Sequence, residues 1–192
     1  MALVVSDRPK AGCLDYARQA GIPVWSEKPA EFPDKAVYEA ILIEELGRRE
    51  IDGIVLAGYM RLCGTGLLRR YGGKIVNLHP SLLPAFAGLR AIEQAVESGA
   101  QFTGVTVHFV DEGMDTGPII AQQVVPIGAS ESVESLTARI REVEHQLLPV
   151  IVAHWAQGDI RIEGRKVLAK SEVPRHGIGV VATMNGSKGE ED

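Results

Sequence analysis

The chain has 192 residues, enough for one compact domain with a substantial core, and its 45% hydrophobic and 23% charged residues are the balance of an ordinary globular protein. A net charge of −5 excludes a broad basic nucleic-acid surface, and no apolar run approaches the roughly 18 residues of a transmembrane helix, so neither nucleic acid nor membrane is an expected partner. Two cysteines, Cys13 and Cys63, without CxxC or Cys/His ligand spacing, exclude a disulfide framework and a structural zinc site; with no signal-peptide pattern at the start, the cytoplasm is the expected compartment.

Residues 2–6 (ALVVS) form an apolar run ending in Ser6-Asp7-Arg8-Pro9, which predicts a strand and a turn. A helix over 11–20 closed by Gly21 follows, then a short strand over 22–25. Asp34 is placed to cap a helix over 35–48, with Val37, Ile41, Ile43 and Leu46 along its apolar face. Residues 54–57 and 74–77 read as continuous apolar strands, with Gly64-Thr65-Gly66 between them as a helix start. A helix near 90–98 precedes two β-rich stretches, 102–110 and 118–127. Ser132 caps a long helix over 132–157, on which Leu136, Ile140, Val143, Leu147 and Val150 recur at helical spacing. Strands at 160–162 and 167–168 complete a domain over 1–172, and the Gly-, Lys- and Glu-rich residues 173–192 read as a flexible tail. Strands alternating with helices predict an α/β fold, a mainly parallel sheet flanked by helices, with ligands beyond the carboxyl ends of the strands.

The densest chemical signal lies at that end. Asn77 and His79 are two apart at the close of an apolar strand, so both side chains point the same way, and Pro80 stops the ladder. An amide and an imidazole presented together suit acyl transfer, one donating to a developing oxyanion and the other moving protons. A lone histidine there would more often just hydrogen-bond a loop; the neighbouring Asn tips the reading toward chemistry. Asp111-Glu112-Gly113-Met114-Asp115-Thr116-Gly117-Pro118 reads either as a solvated turn or as a tight loop whose Asp115 orients an imidazole; EF-hand spacing is absent, which disfavours calcium. His108, inside an apolar strand, passes for a core histidine, and Glu144 for a solvated helix residue. Met60-Arg61-Leu62-Cys63 follows the strand at 54–57 and so lies at the site edge.

These residues also carry a resemblance. Asn77-Leu-His79-Pro80-Ser81-Leu-Leu-Pro84, Gly88-Leu89, Thr103 through Val110 and Met114-Asp115-Thr-Gly-Pro118 resemble the 10-formyltetrahydrofolate-dependent formyltransferases, over about residues 2–170, and Gly-Val-Thr-Val-His108-Phe-Val is similar to their glycinamide ribonucleotide branch. The resemblance implies a Rossmann-like fold and direct formyl transfer from 10-formyltetrahydrofolate to the amine of glycinamide ribonucleotide, with no metal and no covalent enzyme intermediate. It implies that His79 is the general acid, that Asn77 binds the formyl oxygen, and that Asp115 holds His79 protonated. Lys35, Met60, Arg61, Leu62, Cys63, Asn77, Val110, Asp111, Met114 and Asp115 would contact the folate, and Pro80, His108 and Glu144 the ribonucleotide.

The family opens with a strand and a Gly-x-Gly-Ser-Asn loop that cradles phosphate on backbone amides at a helix N-terminus. The expectation for this chain is that the first strand and phosphate loop are missing, through a truncation or a misassigned start. Three rivals remain open: a methionyl-tRNA formyltransferase, which should add a basic C-terminal domain; a formyltetrahydrofolate deformylase, with water as acceptor; and an inactive remnant. A monomer and a homodimer are equally compatible with the sequence.

Overall fold

A computed structural model describes residues 1–177 of the 192. In chain order the elements are β1 (Val4–Ser6), α1 (Gly12–Gln19), β2 (Val24–Ser26), α2 (Lys35–Arg48), β3 (Ile54–Leu56), α3 (Thr65–Tyr71), β4 (Ile75–His79), α4 (Ala91–Glu97), β5 (Phe102–Phe109), β6 (Ile119–Pro126), α5 (Val133–Ala156), β7 (Ile160–Glu163) and β8 (Lys166–Ala169), with one 3-10 turn at Pro29–Glu31. The alternation expected from the sequence is present, and the two expected caps are made. Asp34 accepts the Val37 amide at 2.9 Å and Ser132 the Ser135 amide at 3.2 Å, each satisfying an orphan donor of its helix.

Parallel pairing joins β1 to β2 and β3 to β4; β5 and β6 then extend the second sheet antiparallel, in the order β3-β4-β5-β6, and β7-β8 is an antiparallel hairpin. Among the described residues, β1 pairs only with β2 and β3 only with β4. An Arg61–Asp7 ion pair of 3.1 Å links the loop after β3 to the loop after β1.

Ile75 and Val76, consecutive and fully buried on β4, belong to different apolar clusters, so the sheet separates two cores. One core packs Val76, Val105, Val107, Phe109 and Ile120 against Leu136, Ile140, Leu147 and Ile151 of α5. The other packs Ile75 against Tyr38, Leu42, Leu46, Leu67 and Tyr71 of α2 and α3.

Two expectations change. The buried face of α2 is Tyr38, Glu39, Leu42 and Leu46, while Val37 and Ile41 are 38% and 39% exposed. Tyr38 rotates the helix inward because its ring packs between Trp25 and Phe32, at centroid distances of 5.7 and 5.4 Å. The first residues of the expected tail are also anchored. Val173 is buried in the α5 core, and the Gln122 amide of β6 donates to the Arg175 carbonyl at 3.0 Å. The rest of that tail, residues 178–192, lies outside the described residues.

Candidate active site

Strand register assembles the site. On β4, Asn77 and His79 share the face of Ile75, and their antiparallel partners on β5 are His108 and Thr106. Four polar side chains thus crowd one face of the sheet where β4 ends against Pro80, beside a cavity of about 620 Å³. That volume falls within the range that holds small-molecule ligands.

The turn after β4 is fixed by buried hydrogen bonds. Thr106 Oγ1 donates to the Ser81 carbonyl at 2.6 Å and accepts the Leu83 amide at 3.1 Å, and Gln122 Nε2 donates to Thr106 Oγ1 and to the Leu83 carbonyl, both at 3.0 Å. This clamp presents the Phe86 carbonyl 2.9 Å from His79 Nε2. On its other side, His79 Nδ1 lies 3.3 Å from Asp115 Oδ2. Both ring nitrogens therefore face oxygen atoms, so the ring can donate on either side.

Asp115 reaches this position through a folded loop. Asp111 Oδ1 accepts the Gly113 amide at 3.1 Å and the Thr116 hydroxyl at 2.6 Å. Asp115 itself has a positive φ of 56°, a conformation that Asp tolerates better than most residues, and its Oδ2 accepts the Gly88 amide at 2.8 Å. Gly117 has to be glycine, since a Cβ there would lie 1.8 Å from the Phe109 carbonyl oxygen.

His108 is 2% exposed, and desolvation lowers its pKa, so the ring is neutral. Its Nδ1–H donates to the Phe109 carbonyl at 2.8 Å, which leaves Nε2 to accept from Asn77 Nδ2 at 3.1 Å. That acceptor fixes the Asn77 amide, with its second N–H and its oxygen free to meet a ligand. Asp115 Oδ1 lies 3.6 Å from the same His108 nitrogen.

The cavity wall opposite is the segment after β3. Met60 and Leu62 are 64% and 54% exposed, an apolar surface directed at the cavity, and burial pushes the Cys63 thiol up to about 11. Arg61, Pro80, Val110, Asp111 and Met114 also line it, and Glu144 enters from α5 with its pKa raised by desolvation. Lys35 alone among the expected ligand contacts is not brought here; it sits at the start of α2, 3.5 Å from Glu39. A second cavity of about 720 Å³ lies against the opposite side of the Met114–Pro118 loop, but it contains neither Asn77 nor either site histidine. Among the described residues, no group of three or more His, Cys, Asp or Glu side chains is placed to hold a metal ion, and no helix is long and apolar enough to cross a membrane.

Sequence reasoning missed the Phe86 carbonyl, the Thr106–Gln122 clamp and Glu39. A backbone acceptor leaves no mark in a sequence. A glutamate four residues after a lysine looks like a solvated helix pair.

An α/β sheet that gathers a primary amide, a paired imidazole and a carboxylate at one strand end is the framework of an acyl-transfer enzyme. The formyl transferase family model matches residues 1–152, and the chain belongs to that family. It is 47% identical over 151 residues to phosphoribosylglycinamide formyltransferase of Bacillus subtilis (strain 168), covering 79% of this chain and 77% of that protein. Among solved structures, glycinamide ribonucleotide transformylase 1 from Symbiobacterium toebii superposes with a TM-score of 0.85 at 44% identity, covering 88% of this chain and 80% of the other. A formyltetrahydrofolate deformylase from Pseudomonas syringae pv. tomato gives 0.81 at 29% identity, covering 88% of this chain and 56% of the other.

Proposed function

We propose that the chain transfers the formyl group of 10-formyltetrahydrofolate to the primary amine of glycinamide ribonucleotide, a step of purine synthesis in the cytoplasm, without a metal. The observation that carries this reading is His79 held between Phe86 O and Asp115, beside an Asn77 amide oriented by His108. The similarity to enzymes named for this substrate supports it.

The folate occupies the cavity between Met60–Cys63 and Val110–Met114, both of which line it. The amine nitrogen attacks the formyl carbon, and negative charge moves onto the formyl oxygen, where the second Asn77 N–H donates to it. As the tetrahedral intermediate collapses, the attacking nitrogen loses a proton and the departing folate nitrogen gains one. The His79 imidazolium supplies that proton and is restored from the amine, while Asp115 stabilises its charge. No side-chain nucleophile is needed. Glu144 accepts from the ribose hydroxyls, His108 and Pro80 flank the ribonucleotide, and Asn77, Asp111 and Asp115 serve the donor as well.

Incubation with 10-[¹³C-formyl]tetrahydrofolate, with and without glycinamide ribonucleotide, tests the proposal. The label should appear as the formamide of the ribonucleotide, and only when the amine is present. Release as free formate at the same rate without the amine would establish water as the acceptor and overturn it.

A further inference from the structure

Glu39 is a buried carboxylate that the chemistry above does not use. It is 4% exposed on the inward face of α2; its Oε1 accepts the Gly64 amide proton at 2.8 Å, and the Lys35 ammonium is 3.5 Å away. A carboxylate withdrawn from water is costly unless it is bonded, and an ionised acceptor makes one of the stronger hydrogen bonds available to a backbone amide. The fit is equally tight from the other side, because a Cβ on Gly64 would lie 1.9 Å from Glu39 Oε2.

Gly64 closes the segment that forms one wall of the active-site cavity. Residues 57–63 contain no helix or strand, the segment turns at Gly58 with a φ of +69°, and it holds Met60 and Leu62 out toward the cavity. Cys63 packs against the core of α2 and α3, and among the described residues the segment's own side-chain ion pair is Arg61–Asp7, in which Arg61 is 50% exposed, and exposed pairs hold weakly. The buried Glu39–Gly64 bond is thus the firm attachment at the far end of the wall.

We propose that Glu39 is a positioning residue for the formyl donor: it ties Gly64 to α2, so that the wall from Tyr59 to Cys63 keeps the shape that grips the folate. This rests on the reading of the cavity as the folate site. Asn77, His79 and Asp115 are held by β4, β5 and the loop from Asp111 to Pro118, whereas the hydrogen bond and ion pair of Glu39 go to Gly64 and Lys35. Loss of the tie should therefore weaken donor binding and leave the chemical step intact.

The test uses Glu39→Ala and the shape-conserving Glu39→Gln in the full chain. Calorimetric titration of tetrahydrofolate should show a dissociation constant raised about 10- to 100-fold in Glu39→Ala, as for loss of a hydrogen bond to a charged acceptor, and by less in Glu39→Gln, whose amide oxygen still accepts. In the formyl-transfer assay, KM for the donor should rise in parallel, with kcat within about threefold and KM for the ribonucleotide unchanged. Hydrogen exchange at the Gly64 amide should accelerate in the same order. Because Gly64→Ala collides with the carboxylate, its loss of Tm should shrink in the Glu39→Ala background, and this double-mutant cycle reads the contact independently of any ligand. Unchanged Gly64 exchange, additive Tm losses, or equal rises in both KM values would overturn the proposal. A wild-type chain that ignores tetrahydrofolate would instead sink the folate reading, with the exchange and Tm arms still deciding whether the tie exists.

Discussion

Replacing Asn77 by Ala or by Asp separates its role as a donor from its role in packing. In the native site, neutral His108 offers a lone pair to one Asn77 N–H, and in the proposed reaction the other N–H meets the formyl oxygen. Asn77→Ala removes that donor and should lower kcat by about 10²- to 10³-fold, the usual loss for one oxyanion-hole donor. Asn77→Asp keeps the shape but puts a carboxylate where negative charge develops. At 4 Å and an effective dielectric near 20, two unit charges repel by about 4 kcal/mol, and partial charge transfer in the transition state reduces this to about half. Adding that to the lost donor predicts a kcat about 10³- to 10⁵-fold below wild type. The aspartate also turns a lone pair toward the His108 lone pair, a contact relieved only when His108 takes up a proton. Asn77→Asp should therefore recover activity relative to Asn77→Ala as the pH falls below neutrality. Steady-state rates of formyl transfer at saturating donor and amine, measured from acid to mildly alkaline pH, decide the matter. An Asn77→Asp enzyme within about tenfold of wild type would refute the oxyanion assignment.

Glu144, whose carboxyl burial holds above the usual range, accepts from ribose hydroxyls most strongly when ionised, so Glu144→Gln should raise KM for the ribonucleotide about tenfold and leave KM for the folate unchanged. In the wild type that KM should rise as acid protonates Glu144; a flat KM profile would remove Glu144 from substrate binding. Burial lowers the His108 pKa, so the unfolded chain binds more protons here than the fold does. Its contribution to stability is complete above about pH 6.5 and is lost as pH falls through that value toward the lowered folded pKa, which should appear as a falling Tm that His108→Phe flattens. Gly117→Ala forces a methyl group to within 1.8 Å of the Phe109 carbonyl oxygen, where backbone has to move, so it should cost about 1–3 kcal/mol in denaturant unfolding and displace Asp115. An unchanged midpoint would show that the loop yields freely.

Much of the site was legible because it obeys local rules. Asn77 and His79 are two apart on an apolar strand and so had to share a face, and Pro80 had to end that strand. The caps at Asp34 and Ser132 were equally local. What the sequence concealed is long-range. Asp115 meets His79 only because the Asp111 turn, a positive φ and the Gly88 amide aim it there, 36 residues further along the chain. The partner of Asn77 is His108 through antiparallel register, which no spacing announces. On α2 the expected apolar face was half right: Leu46 is in the core and Ile43 packs against it, but Val37 and Ile41 are exposed, because a buried aromatic and a bonded carboxylate, Tyr38 and Glu39, take their place. Lys35 is drawn toward Glu39 for the same reason.

The most direct test of the account is His79→Ala in the formyl-transfer assay, followed as single-turnover formation of the ribonucleotide formamide with enzyme in excess over the labelled donor. His79 sits between Phe86 O and Asp115, so its loss should slow the chemical step by about 10²- to 10⁴-fold while the dissociation constant for tetrahydrofolate stays within about threefold. A variant that keeps more than about a tenth of the wild-type rate would contradict the assignment of His79 as the proton carrier, and with it the reading of this site.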